Sequence, residues 1–151
     1  MIASLNREQI QTLIPHRDPM LLLDQVQILS PTEAKGIYHV RGDEFFLQGH
    51  YPGNPMVPGN IQSEMLAQLG AVLVSYNTSL EGHQYYNLRK GRTPLLAGLE
   101  RVRFKQAVKP GQTLDLEVTL TKDAGLVVHG DASIKVEDKL VASLELIVAY
   151  Y

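Results

Sequence analysis

Cysteine is absent from this 151-residue chain, which removes disulfides, thiol nucleophiles and cysteine metal ligands together. Long apolar runs are absent too. Nothing approaches the ~18–20 consecutive apolar residues that a membrane-spanning helix needs. The first residues, Met1-Ile2-Ala3-Ser4-Leu5-Asn6-Arg7-Glu8, lack a basic segment followed by an apolar one, so a cytoplasmic protein without a signal peptide is expected. There is no basic excess: the formal charge is −2, whereas bulk nucleic-acid binding wants a clear surplus of lysine and arginine. The five histidines stand far apart without a paired-ligand spacing such as H-x-x-x-H, so neither a metal nor another cofactor is expected.

What is present is ordinary for a globular protein, 44% hydrophobic and 20% charged. One domain over residues 1–151 is expected, large enough to bury roughly two thirds of its unfolded surface. No internal repeat or low-complexity tract interrupts it.

The chain is organised around residues 48–74. Gln48-Gly49-His50-Tyr51-Pro52-Gly53-Asn54-Pro55-Met56-Val57-Pro58-Gly59 crowds glycine and proline around one histidine, which predicts a tightly turned loop. From Asn60 the character changes. Met65, Leu66, Ala67, Leu69, Gly70, Ala71, Val72, Leu73 and Val74 predict a helix apolar almost all round, which belongs inside a core. Pro58-Gly59 reads as its start signal, with Asn60 as a candidate N-cap and Glu64 in the first turn. Glu64 and Gln68 are four residues apart and share a face. Taken singly, Glu64 reads as a partner for the helix dipole and His50 as a loop histidine bonded to a turn. Taken together, an acid, an imidazole and a helix N-terminus with free N–H groups are the parts of a general acid/base site with an oxyanion pocket.

Elsewhere, Asn6 and Gln9 have the spacing of a capping box, and Ile10, Leu13 and Ile14 share a face, so residues 6–14 read as a short amphipathic helix ended by Pro15. His16, between Pro15 and Pro19, reads as a packing or capping residue. A mostly buried strand is expected at about residues 20–29 and a second at 32–41, with Ala34, Gly36, Tyr38 and Val40 inward and His39 outward. Asp43 to Leu47 reads as a connection with one helical turn. Residues 77–93 turn polar and read as a long mobile loop. The C-terminal half alternates apolar and polar with period two around Leu114–Thr121 and Leu126–Val136, and Leu140–Tyr150 is the last strand. Lys109-Pro110-Gly111-Gln112 has the residues of a type II turn. One apolar helix followed by an antiparallel meander predicts an α+β fold with the sheet wrapped around the helix.

Three blocks carry a family resemblance. Gly49-His50-Tyr51-Pro52-Gly53-Asn54-Pro55 with Pro58-Gly59 and Glu64-Met65-Leu66-Ala67-Gln68 resembles the 3-hydroxyacyl acyl-carrier-protein dehydratases of the hotdog fold. So do Ile14-Pro15-His16-Arg17-Asp18-Pro19-Met20-Leu21-Leu22-Leu23-Asp24 and the segment Leu96–Gly111. The resemblance implies a hotdog fold and dehydration of (3R)-hydroxyacyl thioesters to trans-2-enoyl thioesters, in fatty acid or polyketide and polyene assembly. It implies His50 as the base for the C2 proton, Glu64 as the acid for the C3 hydroxyl, the Gly59 amide as oxyanion donor, and Gln68 as the group that orients the acid or a water. It further implies an acyl carrier protein as partner and a homodimer whose sites take His50 and Glu64 from different subunits; trimers of dimers also occur in the family. The chain departs from the family pattern at Asn60, Gln62 and Ser63, which are polar, and at Pro94, Leu95 and Leu96, where aromatics are common. Two basic clusters could meet an acidic carrier: Arg89, Lys90 and Arg92, and Arg101, Arg103 and Lys105 on one strand face. The alternatives are a hotdog thioesterase, which usually lacks the histidine loop, and a non-catalytic carrier-binding hotdog protein.

Overall fold

The computed structural model describes residues 1–151. A short strand β1 (Ala3–Leu5) and helix α1 (Arg7–Gln11) precede strands β2 (Gln25–Ser30) and β3 (Glu33–His39). A 3-10 turn (Phe45–Leu47) leads to the long helix α2 (Gly59–Ser79) and the short α3 (Tyr86–Arg89). Strands β4 (Pro94–Phe104), β5 (Thr113–Asp123), β6 (Val127–Val136) and β7 (Lys139–Tyr150) complete the chain. The strands form one seven-stranded sheet in the order β1-β2-β3-β5-β6-β7-β4. Every neighbouring pair is antiparallel. The sheet packs on α2, which is the hotdog architecture.

The period-two alternation decides which sheet face meets the helix. Ala34, Gly36 and Tyr38 of β3 pair with Val118, Leu116 and Leu114 of β5, and all six are buried. Facing them, Met65, Leu66, Leu69 and Leu73 of α2 are fully buried. Each contributes about 1.5–3 kcal/mol relative to exposure. Gly36 lets the helix come close: a Cβ there would sit 3.3 Å from both Leu23 and Leu69 side-chain carbons. One cluster of 32 buried residues joins both layers.

Local chemistry places the turns. The capping box at α1 is formed, with Asn6 Oδ1 accepting from the Gln9 N–H and Gln9 Oε1 from the Asn6 N–H, both at 2.9 Å. Gly111 adopts φ +88° in the Lys109–Gln112 turn, closed by Gln112 N–H to Lys109 C=O. Glu137 and Asp138 both take positive φ in the β6–β7 hairpin, the geometry a two-residue turn of this hand demands.

Several expectations are corrected. The predicted strand at 20–29 begins only at Gln25, because Arg17 to Asp24 stays irregular with its backbone bonded to side chains. Helix α2 begins at Gly59 with Pro58 at the cap, so Asn60 lies inside it and its Oδ1 accepts only from the next residue's N–H. Glu64 therefore lies beyond the first turn, and the helix dipole does not account for it. The helix also runs on to Ser79, with the Thr78 hydroxyl returning to Val74 C=O. The remaining polar segment is pinned by Arg89, whose buried guanidinium donates to Gly125 C=O and Thr78 Oγ1, both at 2.8 Å, and pairs with Asp123. Tyr85 and Tyr150 each lie 5.0 Å from its guanidinium carbon. No helix is long and apolar enough to cross a membrane.

Candidate active site

The irregular segment between α1 and β2 is held from three sides. The Arg17 guanidinium folds back onto the carbonyls of Gln11, Ile14 and His16. Arg7 donates to the carbonyls of Leu21 and Leu23 and pairs with Asp18. From α2, the buried Gln68 amide accepts from Leu22 N–H at 2.9 Å and donates to Met20 C=O at 2.7 Å. The bonds from Arg7 and Gln68 to the backbone of residues 20–23 meet groups of a non-repetitive segment that would otherwise be costly to leave unpaired near the core. The segment is thereby fixed against the face of α2 that carries Glu64.

Gln68 donates its remaining hydrogen to Glu64 Oε1 at 2.9 Å. His16 Nε2 lies 3.3 Å from the same oxygen. Glu64 and His16 line a cavity of about 180 Å3, together with Ala71 of α2, Val148 of β7, and Leu95 and Leu96 of β4. Burial pushes the Glu64 carboxyl up. Hydrogen bonds from His16 and Gln68 outweigh it and hold the carboxyl below the usual range.

His50 is carried by the loop before α2. The buried Tyr38 hydroxyl donates to Glu44 at 3.0 Å, and Glu44 accepts from the backbone N–H groups of Arg41 and Gly42. Burial raises the Glu44 carboxyl, but those N–H donors and the Tyr38 hydroxyl bring it below its ordinary value. This anchor sets the 3-10 turn, whose last residue accepts from His50 N–H. The loop then closes on itself: Tyr51 and Asn54 exchange both backbone bonds at 3.0 Å, and Met56 N–H donates to His50 C=O at 2.8 Å. The His50–Tyr51 peptide is cis. His50 Nδ1 lies 2.8 Å from Met56 C=O and can only donate to it, which leaves Nε2 with a free lone pair. Tyr51 stacks on the imidazole at 4.3 Å between ring centroids.

Gly59 opens α2, so its N–H has no carbonyl one turn back to bond within the helix. A Cβ at this position would come within 2.7 Å of the Phe104 ring, so glycine is also what the packing against β4 admits.

The structure thus brings Glu64 and Gln68 together and adds His16, which the sequence presents as a packing or capping residue. His50 does not line the Glu64 cavity. The signal for His16 was weak: a histidine flanked by prolines without an obvious partner in its own loop. Of the polar departures from the family pattern, Gln62 and Ser63 are buried and turn to the carbonyls of Val57 and Gly59, away from the cavity. Pro94, Leu95 and Leu96 do line it. The basic clusters change as well. Arg89 is committed internally, Arg101 has positive φ and pairs with Glu145, and a bulge between Glu100 and Arg103 breaks the expected alternation. Lys90, Arg92, Arg103 and Lys105 remain exposed.

The chain is similar to several known proteins. The FabA-like domain family matches residues 14–145. The chain is 40% identical over 148 residues to the 3-hydroxyacyl acyl-carrier-protein dehydratase FabZ of Clostridium beijerinckii, covering 96% of this chain and 98% of the relative. It is 41% identical over 145 residues to the FabZ of Clostridium botulinum strain Eklund 17B, covering 94% and 96% respectively. Among solved structures, the dehydratase heterocomplex ApeI:P from Xenorhabdus doucetiae superposes with a TM-score of 0.76 at 23% identity, over 94% of this chain and 90% of that one. The Escherichia coli PaaI protein from the phenylacetic acid degradation operon superposes with a TM-score of 0.60 at 14% identity, over 82% and 80%. The two structural matches speak for the hotdog fold. The sequence matches, near full length on both sides, go further: the chain belongs to the FabA-like family, among the FabZ-type 3-hydroxyacyl acyl-carrier-protein dehydratases.

Proposed function

We propose that the chain dehydrates (3R)-3-hydroxyacyl thioesters borne on acyl carrier protein to trans-2-enoyl thioesters and water, in the building of fatty acids or related acyl chains. The observation that carries the reading is the complementary state of two groups. His50 has a bare Nε2 because its Nδ1–H is committed to Met56, and Glu64 has a carboxyl oxygen left free on a cavity wall. The bare nitrogen can accept a proton, and the free carboxyl oxygen can serve a departing hydroxyl once it carries one.

In this reading Nε2 of His50 takes the C2 proton, and the C–H electron pair becomes the C2–C3 double bond. The C3–O bond breaks, and the Glu64 proton goes to the departing hydroxyl as water. The negative charge that develops on the thioester oxygen is met by the Gly59 N–H at the positive end of α2. His50 ends protonated and Glu64 ionised, and the proton returns to Glu64 through solvent before the next turnover. Glu64 must hold a proton when the hydroxyl departs. Covering the cavity with an acyl chain and a second protomer removes water from the carboxyl and adds to the burial that already pushes it up.

A second copy of the chain belongs to this account, because His50 lies outside the cavity that Glu64 lines. Strand β4 is at the sheet edge and exposes Leu95, Leu96, Leu99 and Phe104, an apolar edge that a partner strand would cover. We take the working unit to be a homodimer of one-domain chains with shared sites, itself able to assemble as a trimer of dimers, in the cytoplasm.

The test is incubation with (3R)-3-hydroxyacyl thioesters of several chain lengths. Enoyl thioester with the thioester bond intact is the expected product. Free acid and thiol would make the protein a thioesterase, and binding without either product would make it a non-catalytic carrier-binding protein.

A further inference from the structure

His16 is the one titratable group other than Glu64 on the cavity wall, and the mechanism above does not use it. Its ring is three-quarters buried, and Nδ1 is fully buried without a hydrogen-bond partner. Its backbone is not free to wander: Arg17 takes the His16 carbonyl at 2.7 Å, and Gln68 grips Met20 and Leu22 further along. A histidine presented this firmly, against a buried carboxyl and with one nitrogen left orphaned, needs an explanation other than packing.

The surroundings of the two nitrogens favour one tautomer. Nε2 faces a carboxylate oxygen at 3.3 Å and must carry hydrogen, since two lone pairs would repel. Nδ1 faces no acceptor, and a charged N–H buried there would be left unpaired, which costs more than an unmet lone pair. The tautomer with its hydrogen on Nε2 is the one that gives Glu64 a donor and leaves no buried N–H unpaired. A further regularity concerns Glu64 itself. Both of its donors, Gln68 and His16, meet Oε1, and no hydrogen bond within the chain reaches Oε2.

We propose that His16 is a positioning residue: its neutral Nε2–H, together with Gln68, saturates Glu64 Oε1, so that Oε2 is the oxygen that carries the proton and meets the substrate hydroxyl. The proposal rests on the dehydratase reading for its purpose but not for its geometry. A neutral donor suits an acid that must alternate between charged and uncharged forms. A lysine or arginine in the same place would lock the carboxylate ionised. The other groups around Glu64 bring no competing charge: Ala67 and Gln68 on α2, Thr93 to Leu96 on β4 and its flank, and Val148 on β7 are all non-titratable.

The test has one arm that needs no activity. Carbon-13 carboxyl resonances of labelled glutamate, with Glu64 assigned from Glu64→Gln, are titrated in the wild type, His16→Ala, His16→Asn and His16→Gln. The side-chain amide of Gln reaches the place of Nε2, whereas that of Asn reaches only the place of Nδ1. The Glu64 midpoint is expected to rise in His16→Ala and His16→Asn and to return toward the wild-type value in His16→Gln. The same midpoint in all four proteins overturns the proposal, as does a nitrogen-15 spectrum with the His16 proton on Nδ1. The Asn and Gln variants carry the comparison if His16→Ala does not fold. In the second arm, kcat with a 3-hydroxyacyl thioester falls about tenfold in His16→Ala and His16→Asn, with KM little changed, and most of it is recovered in His16→Gln. Equal losses in Asn and Gln also overturn it. A wild type with no dehydration at all would remove the dehydratase reading, while the titration would still decide whether His16 controls Glu64.

Discussion

Gln68 can offer Glu64 only an N–H. Its amide oxygen is taken by Leu22 N–H and its other hydrogen by Met20 C=O, so the amide cannot turn over without losing both bonds. One buried side chain thereby ties the segment before β2 to the helix and fixes which atom the carboxyl meets.

The first prediction follows from that double duty. Gln68→Ala strands Leu22 N–H and Met20 C=O near the core, at a cost of about 2–4 kcal/mol in urea unfolding. Gln68→Glu would set a second carboxyl against Glu64 and remove a donor. It should unfold at lower urea than wild type at neutral pH, with the difference shrinking as the pH falls. A Gln68→Ala protein with wild-type stability would contradict the bonding described.

Acid stability is the second. Glu44 and Glu64 both have carboxyls held below their ordinary values in the fold. A group whose folded value is lowered binds its proton more weakly when folded, so its stabilisation is complete above the ordinary carboxylate range. It is lost as pH falls from that range through the lowered value. Glu44→Gln should therefore be less stable than wild type at neutral pH and nearly equal to it once the carboxyl is protonated. Urea midpoints measured between neutral and acid pH would check this, and a constant gap would contradict it.

The third separates structure from docking among the basic residues. Arg89→Ala removes a buried guanidinium from Asp123, Gly125 and Thr78 and should cost about 3 kcal/mol or more in stability. Charge reversal at the exposed Arg103 and Lys105 should instead leave stability nearly unchanged and raise KM for a carrier-borne substrate. Turnover of a short pantetheine thioester should stay the same, and the carrier effect should weaken with salt, since exposed charges are screened over ~8–10 Å. Equal losses with both substrates would remove these two residues from docking.

Shared sites give the fourth. If His50 and Glu64 act from opposite subunits, inactive His50→Ala and Glu64→Gln proteins should complement after mixing and subunit exchange. Random exchange makes half the dimers mixed, each with one of two sites intact, so about a quarter of the activity should return. No recovery after exchange verified by mass would contradict a shared site.

How much of this was legible depends on distance along the chain. The Asn6–Gln9 capping box, the Pro110-Gly111 turn, the inward face of β3 and the alternation of β5 and β6 are local patterns, and each is found where the residues put it. The contacts that build the site are not local. Gln68 reaches Leu22 across 46 positions, and Arg89 reaches Asp123 across 34, so no periodicity announces them. Arg89 reads as surface charge because Asn87, Lys90 and Arg92 around it are polar, yet the fold supplies it with two aromatic faces and a carboxylate. The extension of α2 to Ser79 was hidden because Thr78 and Ser79 read as loop residues, although both hydroxyls bond back to helix carbonyls. The bulge in β4 at Arg101 likewise left the sequence alternation intact while breaking it in space.

The most direct measurement of the central claim is the rate of enoyl thioester formation by His50→Ala and Glu64→Gln, each shown to be folded by its urea midpoint. Both groups are proposed to transfer protons to or from the substrate, so each variant should lose at least ~10² in rate. Gln is nearly isosteric with Glu and keeps an oxygen for Gln68 and His16, so the loss should come without unfolding. Near-wild-type dehydration by folded Glu64→Gln or His50→Ala would take that residue out of the mechanism and contradict the account.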